Sequence, residues 1–328
     1  MSIELSSRYP RLLADIGGTN ARFALETAPG QWEQVTTVSC RDFPSLELAI
    51  RAYYAKAGVA QVAYAAIGIA NPVVGDWVQM TNHHWAFSIE ATRLALGLER
   101  LIVINDFTAL ALALPHLPER ELIKVGGAEP WVGSPLALLG PGTGLGMSGL
   151  VPTGNGNGNG YVPLSGEGGH ASFAPFDERE MAIWRYACTK YSHVSTERLL
   201  SGPGLELIYE ALQYQAGETG DSLSAADITD RGLSGDCPRC RETLDVFCAI
   251  LGTAASNLAL MLGARGGVYI GGGIVPRLGD YFAHSPFRTR FEDKGRFSGY
   301  LAGIPVYVIT TAYPAMYGVS AALNVALS

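Results

Sequence analysis

The stretch "LIVINDFTALALAL", residues 101–114, sets one amide and one carboxylate, Asn105 and Asp106, side by side in an otherwise oily run. An ionised carboxylate only accepts, so Asp106 can take a proton, whereas the Asn105 carboxamide both donates and accepts and can hold a hydroxyl whichever way its proton points. The same pair could simply cap the helix that "FTALALAL" announces, a role worth about 1 kcal/mol. Further along, "SGEGGH" puts Glu167 and His170 three apart in a glycine-rich loop, and "VSTERLL" adds Glu197. Taken singly these three read as a turn carboxylate, a core histidine and an acid at a helix start, where the helix dipole favours it. Taken together they are a polar set suited to a ligand rich in hydroxyl donors.

Three glycine turns accompany them. In "ADIGGTNARFAL" Asp15 ends an apolar strand, and Gly17, Gly18, Thr19 and Asn20 reverse the chain into another strand. Glycines let backbone N–H groups converge on one anion, and Thr and Asn add donors. A carboxylate beside a phosphate would repel it by a few kcal/mol at an effective dielectric of about 20, so Asp15 fits such a turn only with a divalent cation between them; otherwise the turn is an ordinary hairpin. "GPGTGLGMSGL" offers Gly142, Thr143 and Gly144 as a second phosphate-cradling turn. It lacks the Gly-Lys-Ser/Thr of a Walker A loop, and it opens a strand where a dinucleotide fingerprint would open a helix. In "IGGGIVPR", Gly271, Gly272 and Gly273, with Ile274 following, precede a helix and allow close approach by a flat ring or a phosphate.

The elements that must position these residues follow from the apolar pattern. "RLLADIG", "ARFALE", "VAYAAIGIA" and "LIVIND" read as strands, with a helix in "PSLELAIRAYYAKAG". "PLALLGPGTGLGMSGLVP" repeats the strand–glycine turn–strand order, which hints at a duplicated architecture. Residues 177–216 and 241–262 read as helical, "GGVYIGGGIVPRLGDYF" as strand, turn and helix, and "AMYGVSAALNVAL" as a closing helix. "TGNGNGNG" at 153–160 has the Asn-Gly chemistry of an exposed hairpin tip.

With 328 residues the chain is near the practical limit of a single core, so two domains are expected. A net charge of −7 and a pI near 5.4 argue against a nucleic-acid partner. The N-terminal residues lack the pattern of a signal peptide, and no uninterrupted run of roughly 18 apolar residues stands out, so a soluble, cytoplasmic protein with no membrane partner is expected. The five cysteines make a disulfide framework improbable in that compartment. Cys237 and Cys240 in "CPRC" could be half of a zinc site, but no second Cys-x-x-Cys completes it. "TNHHWAFS" at 81–88 reads as a loop near the ligand, and "FEDKGRF" at 291–297 as a solvated or hinge segment.

Three such turns in this order, with a strand-terminal Asn-Asp between the first two, resemble the superfamily of hexokinase, actin and the heat-shock chaperone ATPases. More specifically, "DIGGTNARFAL", "GDWVQMTNHHWAFS", "INDFTA", "GGAEP", "GPGTGLG", "SGEGGHASFAP", "HVSTERLLSGPG", "FEDKGRF" and "GGGIVPR" together resemble the bacterial glucokinase family from residue 15 to 297. The resemblance implies ATP-dependent phosphorylation of D-glucose to glucose 6-phosphate, in a cleft between two domains. It implies a sugar site of Asn105, Asp106, Glu167, His170 and Glu197. It also implies a triphosphate held by Asp15, Gly17, Gly18, Thr19 and Asn20 and by Gly142, Thr143 and Gly144, with Gly271, Gly272, Gly273 and Ile274 beside adenosine. Mg2+ accompanies ATP, reached by Asp15 through water. Phosphoryl transfer asks for one group that orients the attacking oxygen and accepts its proton, and Asp106 suits that role. A homodimer is the expected assembly.

The expected fold is an α/β, two-domain, ribonuclease-H-like architecture. Its smaller domain takes residues 1–111 plus 308–328 and its larger domain 112–307. Rival readings are a broader hexose or mannose kinase, a sugar-responsive regulatory protein, and a filament-forming or chaperone-type ATPase. The sugar-site set disfavours the last, and the charge and the absence of a helix-turn-helix ahead of Asp15 disfavour the regulator.

Overall fold

A computed structural model describes residues 8–81, 83–154, 160–218 and 220–328. The Asn-Gly tip at 155–159 lies outside the described residues. The chain divides into two compact units, one formed by residues up to Pro118 with Thr311–Ser328, the other by Glu119–Thr310. The cuts expected after residues 111 and 307 fall inside elements: the helix Asp106–Ala113 continues into a 3-10 turn at Leu114–His116, and residue 307 lies in a strand.

In the first unit, β1 (Arg11–Ile16), β2 (Asn20–Ala28), β3 (Gln31–Ser39) and β4 (Tyr64–Ile69) share a sheet with β7 (Arg100–Asn105), while β5 (Trp77–Gln79) and β6 (Ala86–Ser88) form a separate ribbon. The sheet order is β3-β2-β1-β4-β7. The first three strands are an antiparallel meander, and β4 and β7 run parallel to β1. The continuous apolar runs follow from burial on both sheet faces. Leu12, Ala14 and Ile16 point into one core, and Leu13 joins Ala66, Met316, Val319 and Leu323 in another beneath the helix Pro314–Leu327. A fully buried Leu or Ile side chain contributes about 1.5–3 kcal/mol.

That last helix is fixed at two places. A Cβ on Gly318 would lie 1.6 Å from the Ala109 carbonyl oxygen, so the helix meets Asp106–Ala113 backbone to backbone. At its other end, buried Arg11 and Glu26 pair at 2.6 Å across β1 and β2. Arg11 also donates to Asn324 Oδ1 at 2.7 Å and Ser320 Oγ at 3.1 Å, and Ser320 donates to Glu26 Oε1 at 2.8 Å. The charges are buried but fully hydrogen-bonded, the condition under which a buried ion pair is tolerated.

The second unit repeats the plan. Its strands are β8 (Leu122–Lys124), β9 (Leu136–Pro141), β10 (Leu145–Pro152), β11 (Tyr161–Ser165), β12 (Val268–Ile270) and β13 (Val306–Ile309), in the order β11-β10-β9-β12-β13-β8. Again an antiparallel meander, β9 to β11, is followed by two strands parallel to its first member, and β8 adds an antiparallel edge. The duplication hinted at by two glycine-turned hairpins is therefore present in the topology. The helix Pro238–Leu262 is long and apolar enough to cross a membrane by length and composition, yet Leu244, Phe247, Ile250, Leu251 and Ala255 bury it in this unit's core.

Two sequence expectations are corrected, and two strands went unannounced. Residues 177–216 are two helices, Glu178–Cys188 and Gly202–Gln215, because Ser201 caps the second and Pro203 occupies its first turn. The segment between them carries Glu197 in a 3-10 turn, Thr196–Arg198. "FEDKGRF" is only partly a solvated loop, since Phe291 is fully buried and lies near the end of the helix Phe287–Glu292, against the main chain at Gly252. Two strands, β3 and β8, have no clear apolar alternation to announce them.

Candidate active site

In the first unit the sheet carries its polar residues at the C-terminal ends of parallel strands, where open α/β sheets place ligands. Asp15 is the penultimate residue of β1, and Ile69 of β4 pairs with Asn105 at the end of β7. Asn105 is the N-cap of Asp106–Ala113. Its Oδ1 accepts from the N–H groups of Phe107 and Thr108 at 2.9 and 3.0 Å. Its Nδ2 donates to Asp106 Oδ1 at 2.9 Å and toward the Asn71 carbonyl at 3.5 Å. Asp106 Oδ1 also accepts from Phe107 N at 2.9 Å. Asn105 thus caps the helix, while Asp106 begins it with one carboxylate oxygen turned to the Phe107 N–H and the Asn105 amide.

Burial is the main cause that pushes the Asp106 carboxyl up to about 6, the Asp15 charge adds to it, and hydrogen bonds from Phe107 and Asn105 oppose it. Asp15 is itself raised by burial against the opposing pull of Arg22. Arg22 lies directly across the hairpin and reaches Asp15 Oδ2 at 3.1 Å. Gly17, Gly18 and Thr19 form the turn into Asn20, closed by Gly17 N donating to Asn20 O at 2.9 Å and Cys40 N donating to Thr19 O at 2.8 Å. The loop before Trp85 is tied to the same place: Thr81 Oγ1 donates to Asn71 Oδ1 at 2.6 Å, and the buried Trp85 ring donates to the Phe43 carbonyl at 2.9 Å.

In the second unit His170 and Glu197 come together. His170 Nδ1 stands 3.8 Å from Glu197 Oε1, and Glu197 Oε2 accepts from Leu145 N at 2.8 Å. Two loops make this meeting. A bridge pairs Ser172 with Ser195, and Thr196 N donates to Ala171 O at 2.9 Å. Gly169 lies so close to β10 that a Cβ would fall 2.1 Å from Leu145 O, and a Cβ on Gly144 would fall 2.5 Å from Glu197 Oε2. Glu197 therefore rests on the end of the Gly142–Gly144 turn because residue 144 has no side chain. Glu167 is exposed, and its carbonyl accepts from His170 N at 3.0 Å.

The remaining two glycine turns are neighbours at the ends of β9 and β12. Gly142 N donates to Gly144 O and Gly202 N donates to Gly142 O, both at 2.8 Å, which sets the N-terminus of Gly202–Gln215 against the turn. Gly271 N donates to Leu139 O at 2.9 Å. Gly272 has φ +78° and a Cβ would lie 2.3 Å from Pro141 O, so the Gly271–Gly273 turn requires glycine there. Ile274 leads into the short helix Val275–Leu278.

Among the described residues there is no group of three or more His, Cys, Asp or Glu side chains able to hold a metal. Magnesium commonly binds through one or two carboxylates together with substrate phosphates. Asp15, a half-buried carboxylate at the end of β1, is a donor of that type. In "CPRC" Cys237 caps the helix Pro238–Leu262, its sulfur accepting from Cys240 N at 3.4 Å. Sequence reading missed Arg22, Asn71 and the Leu145 N–H. The first was legible, because Asp15 and Arg22 are equidistant from the centre of a hairpin turn.

The glucokinase family model matches residues 12–326 of the chain. A glucokinase of Chromobacterium violaceum is 62% identical over 323 residues, spanning 98% of this chain and 92% of the relative. One of Campylobacter jejuni subsp. doylei is 58% identical over 325 residues, spanning 99% and 97%. The crystal structure of glucokinase from an Antarctic psychrotroph is similar with a TM-score of 0.87 at 37% identity, over 96% of this chain and 98% of that one. With its twice-repeated ribonuclease-H-like sheet of the actin-like ATPase fold, the chain belongs to the glucokinase family.

Proposed function

We propose that the protein transfers the γ-phosphoryl group of ATP to the 6-hydroxyl of D-glucose, forming glucose 6-phosphate, with Asp106 as the general base. The observation that carries this reading is the environment of Asp106. A general base works best with a pKa near the operating pH. Burial and the Asp15 charge lift this carboxyl to about 6, and its hydrogen bonds to Phe107 N and Asn105 fix its direction.

Asn105, whose second amide hydrogen is held only at 3.5 Å by the Asn71 carbonyl, donates that hydrogen to the reacting end of the sugar, and Glu167, His170 and Glu197 accept from and donate to its other hydroxyls. A site of this type rejects analogues that lack a matched hydroxyl, because its own polar groups would be left buried and unpaired. The turns at Gly17–Asn20 and Gly142–Gly144 hold phosphate oxygens through backbone N–H groups, and Gly271–Gly273 with Ile274 lies against adenosine. Asp15 holds Mg2+ through water; when bound, the ion neutralises the β- and γ-phosphate oxygens. A cytoplasmic homodimer belongs to the same reading, and sedimentation velocity tests the dimer.

A coupled assay with ATP, Mg2+ and a panel of hexoses tests the activity. Turnover greatest with glucose supports the reading. Turnover with another hexose and none with glucose overturns it.

A further inference from the structure

"CPRC" is left without a role by this reading, and its geometry supplies one. Cys237 caps the helix Pro238–Leu262 and is partly exposed, whereas Cys240, one turn into the helix, is fully buried. The backbone N–H of Cys240 donates to Cys237 Sγ at 3.4 Å. The Cys237 sulfur is thereby turned onto the first helical turn, the one that carries Cys240. Cys240 sits in a small apolar cluster with Tyr209 and Ile228, which holds it behind Cys237. Among the described residues no third His, Cys, Asp or Glu joins them as a metal-binding group.

We propose that Cys237 and Cys240 form a redox-active dithiol that reacts with low-molecular-weight disulfides, Cys237 attacking and Cys240 resolving. The Cys237 thiolate attacks one sulfur of the small disulfide, whose S–S bond breaks and releases one small thiol. The Cys240 thiol then loses its proton and attacks the Cys237 sulfur, expelling the second small thiol and closing an intramolecular disulfide. The two cysteines are oxidised by two electrons, and the small disulfide is reduced to two thiols.

The order of attack follows from the environment of each sulfur. Partial burial works against a thiolate at Cys237, but hydrogen bonds from the Cys240 N–H and thiol and from the Arg239 N–H, with the Arg231 charge, outweigh it and hold the pKa below the usual thiol range. Burial, together with its hydrogen bond to Cys237, pushes Cys240 up to about 12. Thiolate at a helix N-terminus is the reactive form in such pairs. Cys188 is also exposed but has no cysteine partner, which makes it an internal reference.

The test is incubation of the full chain with oxidised glutathione at neutral pH, followed by alkylation and peptide mass spectrometry. The expected product is a Cys237–Cys240 disulfide, about 2 Da lighter than the dithiol, formed at least roughly tenfold faster than any adduct on Cys188. In the Cys240→Ser variant the glutathione adduct should be trapped on Cys237. Cys237→Ser, whose serine keeps the helix cap, should leave Cys240 unmodified. A persistent adduct on Cys237 of the unaltered chain overturns the resolving role. Modification of Cys188 while Cys237 stays free overturns the proposal as a whole.

Discussion

Replacing Asp106 with asparagine should abolish most activity and yet make the protein more stable. The carboxyl titrates at about 6 in the folded chain against an ordinary value of 3.8. The difference, 6 − 3.8, corresponds at about 1.4 kcal/mol per pKa unit to roughly 3 kcal/mol by which folding disfavours the ionised form. Partial solvent exposure reduces this to about 1–3 kcal/mol. A carboxyl raised in the folded state destabilises fully above its folded pKa and contributes nothing below its unfolded pKa. The substituted carboxamide keeps an oxygen to accept from Phe107 N and carries no charge. Urea denaturation of both proteins at several pH values is the assay. At roughly pH 7.5 the variant should be more stable by about 1–3 kcal/mol, and the gap should close between about pH 6 and pH 4. A variant less stable than the parent at that pH, or a gap that ignores pH, would refute the reasoning.

Other outcomes follow from the same contacts. In the parent, kcat/KM should fall on the acid side with an apparent pKa near 6, because protonated Asp106 cannot accept the sugar proton; a profile flat from about pH 5 to 7.5 would contradict this. Gly144→Ala should push Glu197 off the Leu145 N–H, a charge-assisted bond worth about 1.5–3 kcal/mol, and raise the glucose KM roughly tenfold or more in steady-state assays. Gly318→Ala drives a methyl group into the Ala109 carbonyl and should cost several kcal/mol, on the scale of overpacking, seen as a lowered melting temperature. Arg11→Ala strands Glu26 without its cation and should cost about 3–5 kcal/mol in chemical denaturation, with the loss reduced in the Arg11→Met, Glu26→Leu double variant.

Much of this molecule was legible because its central strands β1, β4 and β9 are buried on both faces and so write themselves as unbroken apolar runs. The half-buried edge strand β7 was readable from its own apolar run, and Asp15 and Asn105-Asp106 stand out as polar residues where such runs stop. The repeat was legible as two glycine-turned hairpins, since each unit spends its first two strands on the same reversal. What spacing could not show were contacts between distant parts of the chain: Gly318 against Ala109, Arg11 with Glu26 and Asn324, and Glu197 resting on Leu145. Nothing local marks Gly318 as the point of closest helix approach. The break in the 177–216 helical pattern was written in Ser201-Gly-Pro-Gly, where a cap and a proline specify a new start, but apolar periodicity masked it. Phe291 was hidden by its charged neighbours.

The most direct measurement of the central claim is the turnover of Asp106→Ala with saturating ATP, Mg2+ and glucose, alongside glucose binding by titration calorimetry. If Asp106 is the base, glucose should still bind while kcat falls by roughly two to four decades. Turnover within a few-fold of the parent, with glucose still bound, would contradict it.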